Sequence, residues 1–332
     1  MSPIPSPPSG RGRRWFVWDF GVNPAVSFKR VGRQRDDAAG MNDVVNLLRN
    51  ATRLLLVPAT LGAAAVGVGL LGAGGWIWVP MTVVVVLVVT FAAEQVAPYA
   101  VSWNRRGPGF GADAVGAAVN ELLTALGVVA APVFAGLFSF SVWPVGAPRW
   151  VSLLLAIVVL DAGATVAHWW SHRRATLWRF HAVHHSADRL YGLNGLMKHP
   201  LHLAFETTIG MAPLIVLGID SGTARALAGL VAVQLVLQHA NVDYRVGRLG
   251  RWLAWNAGHR LHHVADEVEG NVNFGLFTLV WDRLLGTYRD PLRDVPPPVV
   301  GLVSRAVPSR YLEQLTMPWD SSRIGSADAV RR

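Results

Sequence analysis

Trp76-Ile-Trp-Val-Pro-Met-Thr-Val-Val-Val-Val-Leu-Val-Val-Thr-Phe-Ala-Ala93 runs without a single charge. A helix needs about 20 apolar residues to cross the hydrocarbon layer of a bilayer, and this stretch has no polar face to turn toward water. It belongs to a chain of 332 residues that is 52% hydrophobic and only 15% charged, far more apolar than an ordinary soluble domain. Outward from it, Leu54–Ala73 precedes it across Gly74 and Gly75. Four further apolar stretches follow: Ala118–Val142, Trp150–Ala167, Leu203–Ile219 and Ala224–Ala240. The last two are short, so they are expected to cross or merely dip. The pattern predicts an all-α integral membrane protein with about four to six transmembrane or membrane-dipping helices.

Basic residues orient the spans. Arg53 precedes the first two spans, which Gly74 and Gly75 join as a tight hairpin, Arg105 and Arg106 follow them, and Arg173, Arg174 and Arg179 follow the fourth span. Lys and Arg favour the cytoplasmic side, so these ends and both termini are expected there, with Arg149 as the exception. Trp76, Trp78, Trp143 and Trp150 then fall at outer ends, and Trp103, Trp169 and Trp170 at inner ends, as interfacial aromatic belts would. The net charge of +9 reads as topology and attraction to anionic lipid rather than nucleic-acid binding.

The chain divides by composition. Residues 1–48 form an expected flexible basic arm (Arg11, Arg13, Arg14, Lys29, Arg30, Arg33, Arg35). It lacks the continuous apolar run of a signal peptide, and Met41 is a possible alternative start. Residues 49–149 hold the first membrane helices, 150–290 the histidines, and 291–332 a Pro-rich cytoplasmic tail with a short helix near Tyr311–Leu315. Asn241–Asp290 is expected as amphipathic helix and loop on the cytoplasmic face. With no cysteine, disulfides, iron–sulfur clusters and thiolate zinc sites are excluded. Gly67-Val-Gly69-Leu-Leu-Gly72 spells a dinucleotide fingerprint, but it sits inside an apolar span with no strand before it; close helix packing is the better account.

All eleven histidines lie between His168 and His263. His168 and His172 are four residues apart, His181, His184 and His185 follow at three and four, and His259, His262 and His263 repeat that pattern. Residues three and four apart share a helix face, so each set projects imidazoles toward one point. Neutral imidazole binds iron, zinc, copper and nickel. With His239 the sets supply nine candidate ligands, where one tetrahedral zinc needs four. Nine suit two metals. The isolated His199 and His202 read as structural.

These residues and their flanks resemble the fatty acid hydroxylase and sterol desaturase superfamily: Asp161 with His168-Trp-Trp-Ser-His172-Arg173, Trp178-Arg179-Phe180-His181-Ala-Val-His184-His185-Ser186, His199-Pro200, His239-Ala-Asn241, His259-Arg-Leu-His262-His263, Asn273-Phe-Gly275, Trp281-Asp282-Arg-Leu-Leu-Gly286-Thr287-Tyr288 and the ending Tyr311-Leu-Glu-Gln314-Leu-Thr-Met-Pro318. The resemblance implies a non-haem di-iron centre, in which purification can substitute zinc, held by His168, His172, His181, His184, His185, His239, His259, His262 and His263. It implies O2 as oxidant, a lipid substrate such as a sterol or fatty acyl chain that is hydroxylated or desaturated, and NAD(P)H-derived electrons from a separate partner (ferredoxin, cytochrome b5 or reductase). No His-Pro-Gly-Gly haem motif is present. Where some members carry a further histidine this chain has Asp243, which is expected to ligate the second metal or leave it open. Asp161, Asn241, Asp243, Asp266, Glu267 and Asn273 are candidates to orient imidazoles. The competing functions are a membrane zinc hydrolase, which lacks His-Glu-x-x-His here, and a metal transporter or sensor, which would spread polar ligands through the membrane midplane.

Overall fold

A computed structural model describes residues 43–71, 78–105, 107, 109–140, 142–266, 269–294, 299–302 and 308–320. The arm expected over 1–48 lies outside them up to residue 42, and residues 43–48 already belong to the first helix. Glu267, Trp76 and the Gly74–Gly75 link also lie outside.

Among the described residues the secondary structure is helical. The long elements are α1 (Asp43–Leu71), α2 (Trp78–Val96), α3 (Phe110–Phe138), α4 (Arg149–Arg173), α5 (Ala175–His185), α6 (Pro200–Leu217) and α7 (Ser221–His239), and the short ones α8 (Asn256–His262), α9 (Val280–Leu285) and α10 (Tyr311–Thr316). Local chemistry sets several ends. Pro200 starts α6 with its fixed φ, and the Asp220 carboxylate caps α7 by accepting from Thr223 N at 2.9 Å. Gly218 closes α6 at φ 87°, a left-handed conformation that a side chain would strain.

Among the described residues, four helices are long and apolar enough to cross a membrane: α2, α3 over Phe110–Ala130, α4 and α6. They turn leucine, valine and phenylalanine outward: Val84, Val88, Leu122, Leu126, Leu154 and Val158 are exposed, as lipid contact requires. The protein is therefore a multi-pass membrane protein. The sixth apolar stretch differs. It forms α7, which lies outside this group of four and buries Leu227, Leu230, Val233, Val236 and Leu237. A helix enclosed by other helices is as apolar as one in lipid, so hydropathy alone does not separate them. Gln234 and Gln238 do: their amides donate to Ala254 O, Leu276 O and Gly275 O at 2.8–2.9 Å.

Two tryptophans assigned to interfacial belts are core residues. Trp143 packs with Leu160, Leu214 and Leu227, and Trp103 with Leu190 and Val300. Trp150 and Trp170 are exposed, as expected of a belt.

The segment after α7 does not simply lie beyond the helix ends. Asp161, the thirteenth of the 25 residues of α4, accepts from Leu276 N (3.1 Å), Phe277 N (2.8 Å), Thr278 N (3.1 Å), Thr278 Oγ1 (2.8 Å) and Trp281 Nε1 (3.1 Å). One buried carboxylate thus pins the loop before α9 to the middle of a spanning helix. Five donors offset the cost of burying its charge.

Candidate metal centre

His168 and His172 project from the last turns of α4, and His181, His184 and His185 from α5. His239 ends α7, His259 and His262 lie on α8, and His263 follows it. All nine are buried. Their nitrogens sort into two groups, His168, His172, His181, His185 and His262 in one and His184, His239, His259 and His263 in the other. Within each group the ligand atoms lie within 4.8 Å of one another. In the first, Nε2–Nε2 separations are 3.0 Å for His168–His181, 3.1 Å for His181–His185 and 3.0 Å for His185–His262. In the second they are 3.0 Å for His184–His239, 2.9 Å for His239–His259 and 3.0 Å for His259–His263.

The other ring nitrogens reveal what these contacts are. Nδ1 of His168 lies 2.9 Å from Phe274 O, that of His184 2.9 Å from Met197 O, that of His239 2.8 Å from Leu235 O and that of His262 3.0 Å from Val272 O. A carbonyl only accepts, so each Nδ1 carries the proton. In a neutral ring Nε2 then presents a bare lone pair. His184 and His239 therefore face each other with two acceptors at 3.0 Å, which is not a hydrogen bond. A cation between them removes the conflict: two nitrogens at right angles on a metal with bonds of about 2.1 Å stand about 3.0 Å apart. His172 fits the same scheme. Its Nδ1 meets Asn271 Oδ1 at 3.0 Å, and its buried Nε2 has no hydrogen-bond partner.

Burial also keeps the rings in their ligating form. It holds His181, His184, His185, His259 and His263 well below the usual imidazole range, with neighbouring imidazoles adding to the effect. His262 is pushed down to about 4 and His239 to about 3. Metal binding requires neutral imidazole, and the clusters are able to bind metal ions.

The groups expected to orient the rings are mostly not the ones that do so. Asp243 pairs with Arg53 at 3.1 Å and belongs to neither nitrogen group, so it is no substitute ligand. Asn241 binds Ala100 and Asn104, and Asp266 caps Glu269 N. Asp161 holds the loop rather than a ring. Asn273 works through its backbone. At φ 54° it sits in the left-handed region that asparagine tolerates better than most residues, and its flanking carbonyls, of Val272 and Phe274, are the acceptors for His262 and His168.

His199 caps α6, taking Leu201 N on Nδ1 and meeting Leu315 O with Nε2, a structural role as expected. His202 is different. Ser171 Oγ gives its proton to Ala167 O at 2.8 Å, so it accepts from His202 Nε2 at 2.9 Å. That leaves His202 Nδ1 an acceptor, buried and without a hydrogen bond, next to His181, whose Nδ1 is likewise buried and without a hydrogen-bond partner. The two ring centres are 4.4 Å apart. Glu206, 3.7 Å from His202 Nδ1, is already paired with Lys198. The i, i+4 spacing of His202 and Glu206 is the signal that the sequence offered.

Residues 153–287, which span both nitrogen groups, match the fatty acid hydroxylase family. Over 251 residues the chain is 30% identical to ornithine lipid hydroxylase OlsE of Rhizobium tropici, an alignment covering 71% of this chain and 73% of that protein. The chain belongs to the fatty acid hydroxylase family. It is also 28% identical to alkylglycerol monooxygenase of Danio rerio, over 40% of this chain and 30% of that one. A third relative is sphinganine C4-monooxygenase 1 of Arabidopsis thaliana, 29% identical over 40% of this chain and 52% of that one. No solved structure matches this member of the family.

Proposed function

We propose that this protein is a membrane lipid hydroxylase in which each nitrogen group holds one iron: His168, His172, His181, His185 and His262 the first, His184, His239, His259 and His263 the second. The facing lone pairs of His184 and His239 carry this reading, because two neutral rings in these tautomers cannot bond to each other and a shared metal cation makes the contact favourable. Bound iron supplies the means to reduce O2 and oxidise an unactivated C–H bond. The balance is one O2, two electrons and two protons, giving one hydroxylated lipid and one water.

The chain's own residues position and dry the site. The carbonyls of Phe274, Met197, Leu235 and Val272 fix four ring orientations. The Phe274 ring lies edge-on to His168 and His172, with centres 5.3 and 5.1 Å away, and so helps keep water out. The substrate class is a bilayer lipid with an acyl chain, supported by the lipid hydroxylase among the relatives. Hydroxylation is favoured over desaturation because the relatives named are a hydroxylase and monooxygenases. Electrons come from a separate donor, and the metal face is cytoplasmic, the side to which the exposed Arg173, Arg174 and Arg179 point by the charge rule.

The test is lipid mass spectrometry of cells with and without the gene, beside iron analysis of the purified protein. A lipid gaining the mass of one oxygen, lost in His184→Ala and His262→Ala, supports the proposal. Zinc at full occupancy with a hydrolysed lipid and no O2 consumption overturns it.

A further inference from the structure

The loop pinned by Asp161 continues into a surface that the chain's cytoplasmic-looking sequence does not announce. Residues 252–254 and 277–279 pair side by side: Leu279 N donates to Trp252 O at 2.8 Å, Ala254 N to Phe277 O at 2.9 Å, and Leu253 bridges Thr278. This pairing brings Leu249, Trp252, Val280, Leu284 and Leu285 into one region, all exposed, Leu284 by 73% and Leu249 by 61%. Arginines are interleaved with them. The Arg283 guanidinium lies over Trp252 at 4.4 Å and over Tyr288 at 3.6 Å, donates to Arg251 O at 2.9 Å, and leaves the side chain exposed. Arg248 is exposed on the same turn as Leu249.

Depth decides what this surface meets. Asp161 lies 12 residues from either end of α4, about 18 Å at 1.5 Å per residue. The hydrocarbon layer is about 30 Å thick. With Arg149 at one boundary, the Asp161 carboxylate and the loop it holds lie roughly 12 Å inside the other. α9 starts two residues past Thr278, the last backbone donor to that carboxylate, with Trp281 also tied to it. Water at that depth would leave five large apolar side chains wetted. Lipid accommodates them, while the arginines reach toward anionic headgroups.

We propose that Leu249, Trp252, Val280, Leu284 and Leu285 form a membrane-embedded platform, inserted into the same leaflet as the metal centre, with Arg248 and Arg283 at the headgroup level. This follows from the multi-pass fold and is independent of the chemistry proposed above. The platform adjoins the loop that supplies Asn271, Val272 O and Phe274 O to His172, His262 and His168.

The chain has no cysteine, so a single introduced thiol reports without background. Full-length Leu284→Cys carrying a nitroxide, in nanodiscs of phosphatidylcholine and phosphatidylglycerol, is measured by EPR for collision with O2 and with a water-soluble nickel chelate. Asp188→Cys, at an exposed acidic position, is the aqueous reference. O2 access with at least a fivefold drop in nickel access relative to Asp188→Cys supports the platform. Nickel access equal to the reference overturns it and leaves the patch as a docking face for a soluble protein. Leu249→Cys gives the same readout if Leu284→Cys fails to fold.

Discussion

His185 and His263 stack with ring centres 4.3 Å apart and planes 21° from parallel, yet their nitrogens belong to different groups. His259 and His262 form a second stacked pair across the same divide, at 5.2 Å and 24°. The two groups therefore share walls but not ligand atoms. Removing one ligand should empty one position first. His262→Ala is expected to lower bound iron from about two per chain toward one, with His184→Ala doing so for the other position and the double variant reaching none. Metal analysis of protein in detergent checks this; full loading in the double variant would discard the two-group assignment.

Asn273 combines an unusual backbone with three side-chain bonds: its amide nitrogen donates to Gly258 O (3.2 Å) and Arg289 O (3.1 Å), and its oxygen accepts from Arg289 N (3.0 Å). Asn273→Gly keeps the positive φ and loses the bonds, at about 1–3 kcal/mol. Asn273→Val loses both and adds about 1–3 kcal/mol of strain. Thermal unfolding and iron retention should rank wild type above glycine and glycine above valine. Valine equal to glycine would show that the backbone conformation carries no weight.

Gly195, in the turn Gly192–Leu196, is where a side chain has no room. A Cβ there would stand 2.1 Å from Leu235 O and 3.0 Å from His239 Nδ1, the two groups that fix His239. Gly195→Ala should push the turn off α7 and weaken metal retention in the His239 group more than in the other. A chelator titration should then show one iron leaving early and one late.

His202 is expected to accept the His181 Nδ1 proton once His181 binds metal through Nε2, because a ligating imidazole normally donates its second nitrogen. His202→Leu removes that acceptor and should weaken metal affinity roughly 10- to 100-fold, the usual cost of losing such a partner. His202→Gln, which retains an acceptor, should recover most of it. Competition with a calibrated chelator measures both, and equal affinities in the two variants would reduce His202 to filler.

The buried imidazoles also make stability depend on pH. His262 falls to about 4 and His239 to about 3 in the folded chain, against 6.5 when exposed. Between those values the unfolded chain binds protons that the folded one refuses. Their contribution is complete above pH 6.5 and is lost as the pH falls toward 4 and 3. The melting temperature of metal-free protein should therefore drop steadily below pH 6.5. A flat profile down to pH 4 would show that these rings are wetter than the fold implies.

Much of the site was legible because helix geometry is local. His168 with His172, and His181 with His185, share a face by spacing and fall in one nitrogen group, but each triplet divides: His184 joins the other group, and His262 parts from His259 and His263. What spacing does not contain is the partner of each second ring nitrogen. Those acceptors are chiefly main-chain carbonyls, at Met197, Leu235, Val272 and Phe274, and every residue has one. The acidic side chains near the histidines in sequence, Asp243 and Asp266, serve Arg53 and a turn instead. The fold failed to show itself in a similar way at α7. Leu227, Val233 and Leu237 are as apolar against helices as they would be against lipid, and only Gln234 and Gln238 marked the difference.

The Asp161 clamp also bears on how the protein is made. Its partners, Leu276 to Trp281, leave the ribosome more than a hundred residues after α4, when the earlier spans have had time to enter the bilayer. Until that loop docks, Phe274 O and Val272 O are not held against His168 and His262, and the mid-helix carboxylate lacks its five donors. Metal capture is accordingly expected to follow the docking of that loop: a chain stopped just before residue 271 would carry all nine clustered histidines yet lack the acceptors for His168, His172 and His262.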